Sequence, residues 1–182
     1  ILKERNITSE YCGALRVTDE TSISSVTQAV GDVKIKIEAL LSMGLPNSPM
    51  ADSAIKVASG NYVTGRPYGV LDGVDLNLTG RVRSIEKETI NTRLEAGEIV
   101  LITPLGYSTT GEVFNLSSIE VATQVAIDLA ADKLIMFNNS QILKDDNGET
   151  IRQFTCNEAK ARLGDEGAKN IDETPATALA QG

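Results

Sequence analysis

Two places in this sequence hold residues whose type and position could grip a small anionic ligand. Arg16 lies near the end of a short strand-like run, Ala14–Val17, shortly before Thr18-Asp19, a pair suited to opening a helix. An arginine at such a junction can hold a carboxylate through two parallel N–H donors. An ordinary structural ion pair would use the same position equally well. The second place is Gly106–Ala122, where an apolar run gives way to a polar, glycine-bounded turn and a helix begins straight after Asn115-Leu116-Ser117. The free backbone N–H groups of a helix start attract anions, and crevices at the carboxyl ends of parallel strands collect ligands. Capping of the helix by Ser117 or Ser118 accounts for the same pattern without a ligand.

Other chemistries are excluded by what the sequence lacks. There is no histidine, which removes Ser-His-Asp and Cys-His nucleophiles, imidazole acid–base catalysis and histidine metal sites. No Gly-x-x-x-x-Gly-Lys-Ser/Thr loop occurs, and no two glycines stand two residues apart, so Gly-x-Gly-x-x-Gly is absent as well. An acetyl-CoA pyrophosphate loop, Arg/Gln-x-x-Gly-x-Gly/Ala, is approached by Arg66–Leu71 and Gln28–Val33, but both lack the final small residue. Asp145-Asp146-Asn147-Gly148 imitates a calcium loop without its first ligand or its distal glutamate, and reads as a solvated turn. No metal site is expected.

The bulk properties fit this picture. The 182 residues suffice for one substantial core, and the net charge of -8 disfavours nucleic acid and anionic membranes as partners. No apolar run approaches the roughly 20 residues of a membrane-spanning helix. Cys12 and Cys156 have no ligand-like neighbours and read as reduced thiols of a cytoplasmic protein. The Asn-x-Ser/Thr triplets at Asn6, Asn77, Asn115 and Asn138 read as chance matches.

Helices and strands alternate along the chain. Ile23, Val26, Val30, Val33, Ile37, Leu40 and Leu41 recur in steps of three and four, predicting an amphipathic helix from about Thr21 to Met43, with Gly44 as its stop and Pro46 and Pro49 in the following loop. Ile55–Ala58 and Asn61–Thr64 predict strands, and Asp75–Ile85 a hairpin or bent strand about Gly80. Glu86–Ala96 is helical in pattern and Gly97 stops it. Ile99–Ile102 and Lys133–Phe137 predict buried strands, and Ser117–Ala131 a strong helix. Asp146-Asn147-Gly148 predicts a hairpin turn before Thr150–Phe154, Asn157–Leu163 a last helix, and 164–182 a polar, mobile tail of the same domain. The alternation predicts an α/β fold with a mainly parallel sheet.

Several stretches resemble the amino-acid kinase family, and within it the kinase-like domain of N-acetylglutamate synthases. They are Leu15-Arg16-Val17-Thr18-Asp19, Ala58-Ser59-Gly60-Asn61-Tyr62, Gly69–Asp75, Thr79-Gly80-Arg81-Val82 and Gly106-Tyr107-Ser108. Gly111–Ser117, Ala131–Ile135 and Asn157-Glu158-Ala159 complete the series, in the family's order across about Tyr11–Leu163. The resemblance implies a three-layer α/β/α sandwich, with 1–163 as a partial kinase-like domain. In the related acetylglutamate kinase, positions matching Arg16 and Asn115 hold acetylglutamate. Gly60, Asn61, Gly106 and Ser117 join them as candidate pocket-loop residues. The kinase's catalytic aspartate falls on Ile119, which cannot organise phosphoryl transfer.

The resemblance therefore implies a regulatory and assembly module of an amino-acid N-acetyltransferase, itself without a catalytic residue or cofactor. Acetyl-CoA is implied for a separate acetyltransferase domain, L-arginine as an effector of the parent, and a homo-oligomer as its state. A truncated small-molecule kinase and a non-catalytic amino-acid-binding module are the alternatives. The family's first strand would precede Ile1, leaving a sheet edge open to pairing with another chain. The 182-residue chain is expected to be marginally stable or to associate; sedimentation velocity showing a stable monomer that persists on dilution would contradict that expectation.

Overall fold

The computed structural model describes residues 10–13, 15–43 and 55–137. It opens with a small antiparallel pair, β1 (Tyr11–Cys12) and β2 (Leu15–Arg16), in which Tyr11 faces Arg16. The long helix α1 (Glu20–Leu41) follows at once. Asp19 starts it, because its carboxylate accepts the N–H of Ser22 at 2.7 Å and the hydroxyl of Thr21 at 2.9 Å. Those bonds, Ser22's foremost, hold the Asp19 carboxyl below its ordinary pKa. The helix ends at Leu41 with Ser42 as its cap, short of the expected Met43. Gly44, Pro46 and Pro49 lie outside the described residues.

The next stretch supplies strands β3 (Val57–Ser59) and β4 (Val63–Pro67), then β5 (Val70–Leu71), β6 (Val74–Asp75) and β7 (Gly80–Ile85). The hairpin expected about Gly80 lies earlier, joining β5 to β6. Asp72 and Gly73 take φ of 49° and 80°, the paired left-handed conformations of the turn that best fits strand twist. Gly80 instead begins β7. Helix α2 (Lys87–Glu95) and strand β8 (Ile99–Leu101) follow, β8 pairing in parallel with β3. The parallel pairing is as the apolar run predicts, but full burial is not: Ile99 is 42% exposed. Among the described residues β3 and β8 form a sheet of two strands only, so much of its surface has no cover.

The polar stretch after Ile102 is itself structured. β9 (Leu105–Tyr107) and β10 (Val113–Asn115) form an antiparallel hairpin, and helix α3 (Ser118–Asp128) comes next. The four-stranded sheet has the order β10-β9-β4-β7, with β4 and β9 parallel and the other neighbours antiparallel. Lys133–Phe137, expected as a buried strand, is not one. It has no ladder partner among the described residues, and Ile135 and Phe137 are exposed, because a strand forms only where another can satisfy its backbone groups. The readings on 138–182, including the Asp146–Gly148 turn, the Asn157–Leu163 helix, the tail and Cys156, lie outside the described residues.

Two apolar cores result. Val63, Phe114, Leu116 and Val121 form one between the sheet and α3, with Leu78, Val82 and Ile102 against it. Cys12, Leu15 and Leu76 form the other, beneath the β5–β6 hairpin. The first depends on glycine. A Cβ on Gly106 would sit 2.8 Å from the Gly65 Cα and 2.8 Å from Leu116 Cδ1, and one on Gly80 would meet Phe114 Cβ at 2.7 Å. No described helix is long and apolar enough to cross a membrane. Gly106→Ala is expected to destabilise the chain by about 1–3 kcal/mol, as overpacked cores do. Urea unfolding would check it, and an unchanged midpoint would mean that β4 and β9 can separate freely.

Candidate functional site

The register of the strands brings three distant segments to one point. Thr79, buried just ahead of β7, donates its hydroxyl to the carbonyl of Arg16 and lies 2.8 Å from the hydroxyl of Thr18. Asn115, at the end of β10, donates through Nδ2 to that same Thr18 oxygen at 3.0 Å. Short bridges reinforce the junction, Thr18 with Asn77 and Thr79 with Asn115. Arg16 and Asn115, 99 positions apart in the sequence, are thus tied into one hydrogen-bonded group by two threonines. Thr18 and Thr79 escaped the sequence reading as site residues. Both lie within quoted stretches, but neither carries a group that reads as ligand-binding until the strands are assembled.

Among the described residues, Nε and Nη2 of Arg16 are buried and find no hydrogen-bond partner. Buried polar atoms are nearly always paired, and a guanidinium has five donors and cannot shed its charge. The two free donors of Arg16 are those whose fork geometry suits a carboxylate. The other candidates fall elsewhere. Ser117 caps α3, its hydroxyl accepting the N–H of Glu120 at 3.4 Å. Gly106 is buried in β9 against Gly65. Asn61 lines a different cleft, and Gly60 lies against the ring of Tyr62 beside it. Ile119 occupies the first turn of α3 and is half-buried.

Glu120 fixes the end of α3 that carries this segment. Ser117-x-x-Glu120 has the spacing of a capping box, in which the glutamate reaches back to the start of its own helix. Here Glu120 reaches across instead, accepting the N–H of Val82 in β7 at 3.1 Å, with Arg81 Nε 3.9 Å away. Arg81 in turn lies over the ring of Tyr68, 5.2 Å from its centre. Burial raises the Glu120 pKa, outweighing the Val82 hydrogen bond and the nearby charges of Arg81 and Arg66.

A second feature is a cleft of about 330 Å³ where β4, α2 and β9 meet, with Asn61, Glu86, Thr89 and Tyr107 among its lining. A third, of about 540 Å³, lies at the start of α1, lined by Asp19, Glu20, Asp75 and Asn77. Arg16 and Asn115 line neither of these two. Among the described residues no group of three or more carboxylates and thiols could hold a metal ion.

The raised pKa of Glu120 gives a signed prediction. A group whose pKa is higher in the folded chain contributes stability below its unfolded pKa and loses it as pH rises through the folded value. Glu120→Gln, which keeps an acceptor for Val82 but never ionises, is expected to gain on the parent between pH 4 and 7. Thermal unfolding across that range would show the difference. A variant that instead loses ground as pH rises would mean that pairing with Arg81 outweighs burial.

Comparison with known proteins assigns the chain to a family. The model of the amino acid kinase family fits residues 1–182. An amino-acid acetyltransferase of Pseudomonas fluorescens is 46% identical over 169 residues, covering 93% of this chain and 39% of that protein. Solved structures of N-acetylglutamate synthase from Neisseria gonorrhoeae are similar throughout. The complex with coenzyme A and N-acetyl-glutamate superposes with TM-score 0.79 at 31% identity, covering 99% of this chain and 41% of that one. The complex with coenzyme A and L-arginine gives TM-score 0.80 at 33% identity, covering 99% and 43%. The chain spans only about two-fifths of the length of these relatives. It belongs to the amino acid kinase family, and its α/β fold is that family's.

Proposed function

We propose that this member of the amino acid kinase family is the kinase-like regulatory and assembly portion of an enzyme that makes N-acetylglutamate from glutamate and acetyl-CoA, in arginine biosynthesis. Acetyl transfer, and the use of acetyl-CoA, belong on this reading to parts of the parent other than these residues. The reading rests on relatives that bear the acetyltransferase and synthase names over nearly the whole of this chain. Ile119 supports it, because phosphoryl transfer by the kinase route needs a carboxylate at that position. L-arginine is the natural effector to test, since one related synthase was solved with it. We place the parent in the cytoplasm as a homo-oligomer.

The observation that carries a ligand-sensing role is the buried fork of Arg16, which has no hydrogen-bond partner among the described residues, on a residue whose carbonyl is linked through Thr79 and Thr18 to Asn115. A pocket retained from acid recognition would offer just such a fork to a carboxylate, with the Asn115 amide as a neighbouring polar group. Phosphate chemistry would not be required for that. The same observation is what favours the second reading, an amino-acid-binding module with no enzymatic parent.

Calorimetric titration with N-acetylglutamate and with L-arginine, on this chain and on the full-length parent, tests both. N-acetylglutamate is expected to bind this chain, and Arg16→Ala to weaken it at least about tenfold, the scale of hydrogen bonds to a charged group. Binding unchanged by Arg16→Ala would remove the proposed pocket. Arginine that alters the acetyltransferase rate of the parent would favour the regulatory reading over the stand-alone module, and a parent without that activity would overturn the leading one.

A further inference from the structure

The cleft between β4, α2 and β9 has a chemistry opposite to that of the Arg16 group. Among the described residues one lining side chain carries charge, the carboxylate of Glu86, and no lysine or arginine lines the cleft. Glu86 is the N-cap residue of α2, where a short side chain usually accepts a helix N–H. Its carboxylate makes no such bond. Nor does it have an ion pair or any other hydrogen bond among the described residues. It is thus left to the cleft.

Its neighbours are matched to a cation. Tyr62 and Tyr107 both line the cleft, and tyrosine rings attract ammonium and guanidinium groups through their faces. Asn61, Thr89 and Thr109 line it as well, and none has a side-chain hydrogen bond among the described residues. They leave hydroxyl and amide oxygens to accept from N–H donors. The walls are held by the fold rather than by the ligand. The N–H of Glu86 donates to the carbonyl of Tyr62 at 2.8 Å, locking the start of α2 to the start of β4. Tyr107 faces Thr64 across the parallel ladder. Ser108 is held by its contacts with Thr110 and Glu112, which brace the adjoining turn. A Cβ on Gly60 would press on the tip of Tyr62 at 3.3 Å.

We propose that this cleft is a second binding site, separate from the Arg16 group, for a small organic cation: a primary ammonium or guanidinium seated between Tyr62 and Tyr107 with Glu86 as counter-ion. The cation comes either from a free amine or from a lysine or arginine side chain of another protein. The site does not depend on the function proposed above, because it uses none of the residues of the Arg16 group.

The test is a nitrogen–proton correlation NMR titration of the 182-residue chain. Butylamine and butylguanidine serve as free cations, and acetyl-Gly-Lys-Gly-amide and acetyl-Gly-Arg-Gly-amide as protein-like ones. Saturable shifts of the Asn61, Glu86 and Thr109 amides are expected, and Glu86→Gln is expected to weaken binding about three- to fivefold, the upper range of an exposed ion pair. Tyr107→Leu is expected to weaken it independently, while Arg16→Ala leaves it unchanged. Tighter binding of the free cations assigns the site to a metabolite, and tighter binding of the peptides to a partner protein. Shifts that do not saturate, that survive both Glu86→Gln and Tyr107→Leu, or that butyrate produces equally would overturn the proposal.

Discussion

The contact on which this chain depends is between two glycines. Gly65 of β4 and Gly106 of β9 lie so close that a Cβ on either would meet the other's backbone at 3.1 Å or less. Phe114 fills the space beside them and Leu116 the space below, so the β9–β10 hairpin can sit on β4 in one register. Close packing makes such a choice discrete rather than gradual. That register delivers Asn115 to Thr18 and Thr79 on one side and Tyr107 to Thr64 on the other. Both binding features are therefore consequences of the same glycine contact, although they share no residue.

Charge then separates the two features. The Arg16 group offers buried donors without an acceptor among the described residues. The β4–α2–β9 cleft offers a carboxylate and neutral oxygens, with no cationic donor among its described lining. An anion and a cation would each find one welcoming site on the same scaffold. Glu120 belongs to neither. It ties α3 to the edge strand β7, and so holds the segment from Asn115 to Ser117 in place from behind.

Much of this was legible in the sequence, and the rest failed for identifiable reasons. The three described helices lie where the sequence pattern put them, and the caps of α1 and α3 fall on Asp19 and Ser117, each one of the candidates that capping chemistry offered. Arg16 and Asn115 were paired by resemblance, and Thr79 and Thr18 link the carbonyl of the first to the amide of the second. What periodicity could not supply was the joint itself, since Thr18 and Thr79 gain meaning only through strand pairing across 61 positions. Gly106 was a possible pocket-loop residue by resemblance, and its close approach to Gly65 was not legible, because a glycine near a ligand and a glycine at a strand crossing look alike in one dimension. The β9–β10 hairpin was read as a turn because its strands are only three residues each. Lys133–Phe137 shows the converse: an apolar run that has strand composition but finds no ladder partner among the described residues.

The measurement that addresses the central claim most directly is a crystal structure of this chain grown with N-acetylglutamate. The account predicts a ligand carboxylate within hydrogen-bond distance of both Nε and Nη2 of Arg16, with Asn115 close to the same molecule. A guanidinium paired instead with a carboxylate or carbonyl of the chain itself, and no ligand beside it, would contradict the claim that Arg16 remains a ligand-binding residue.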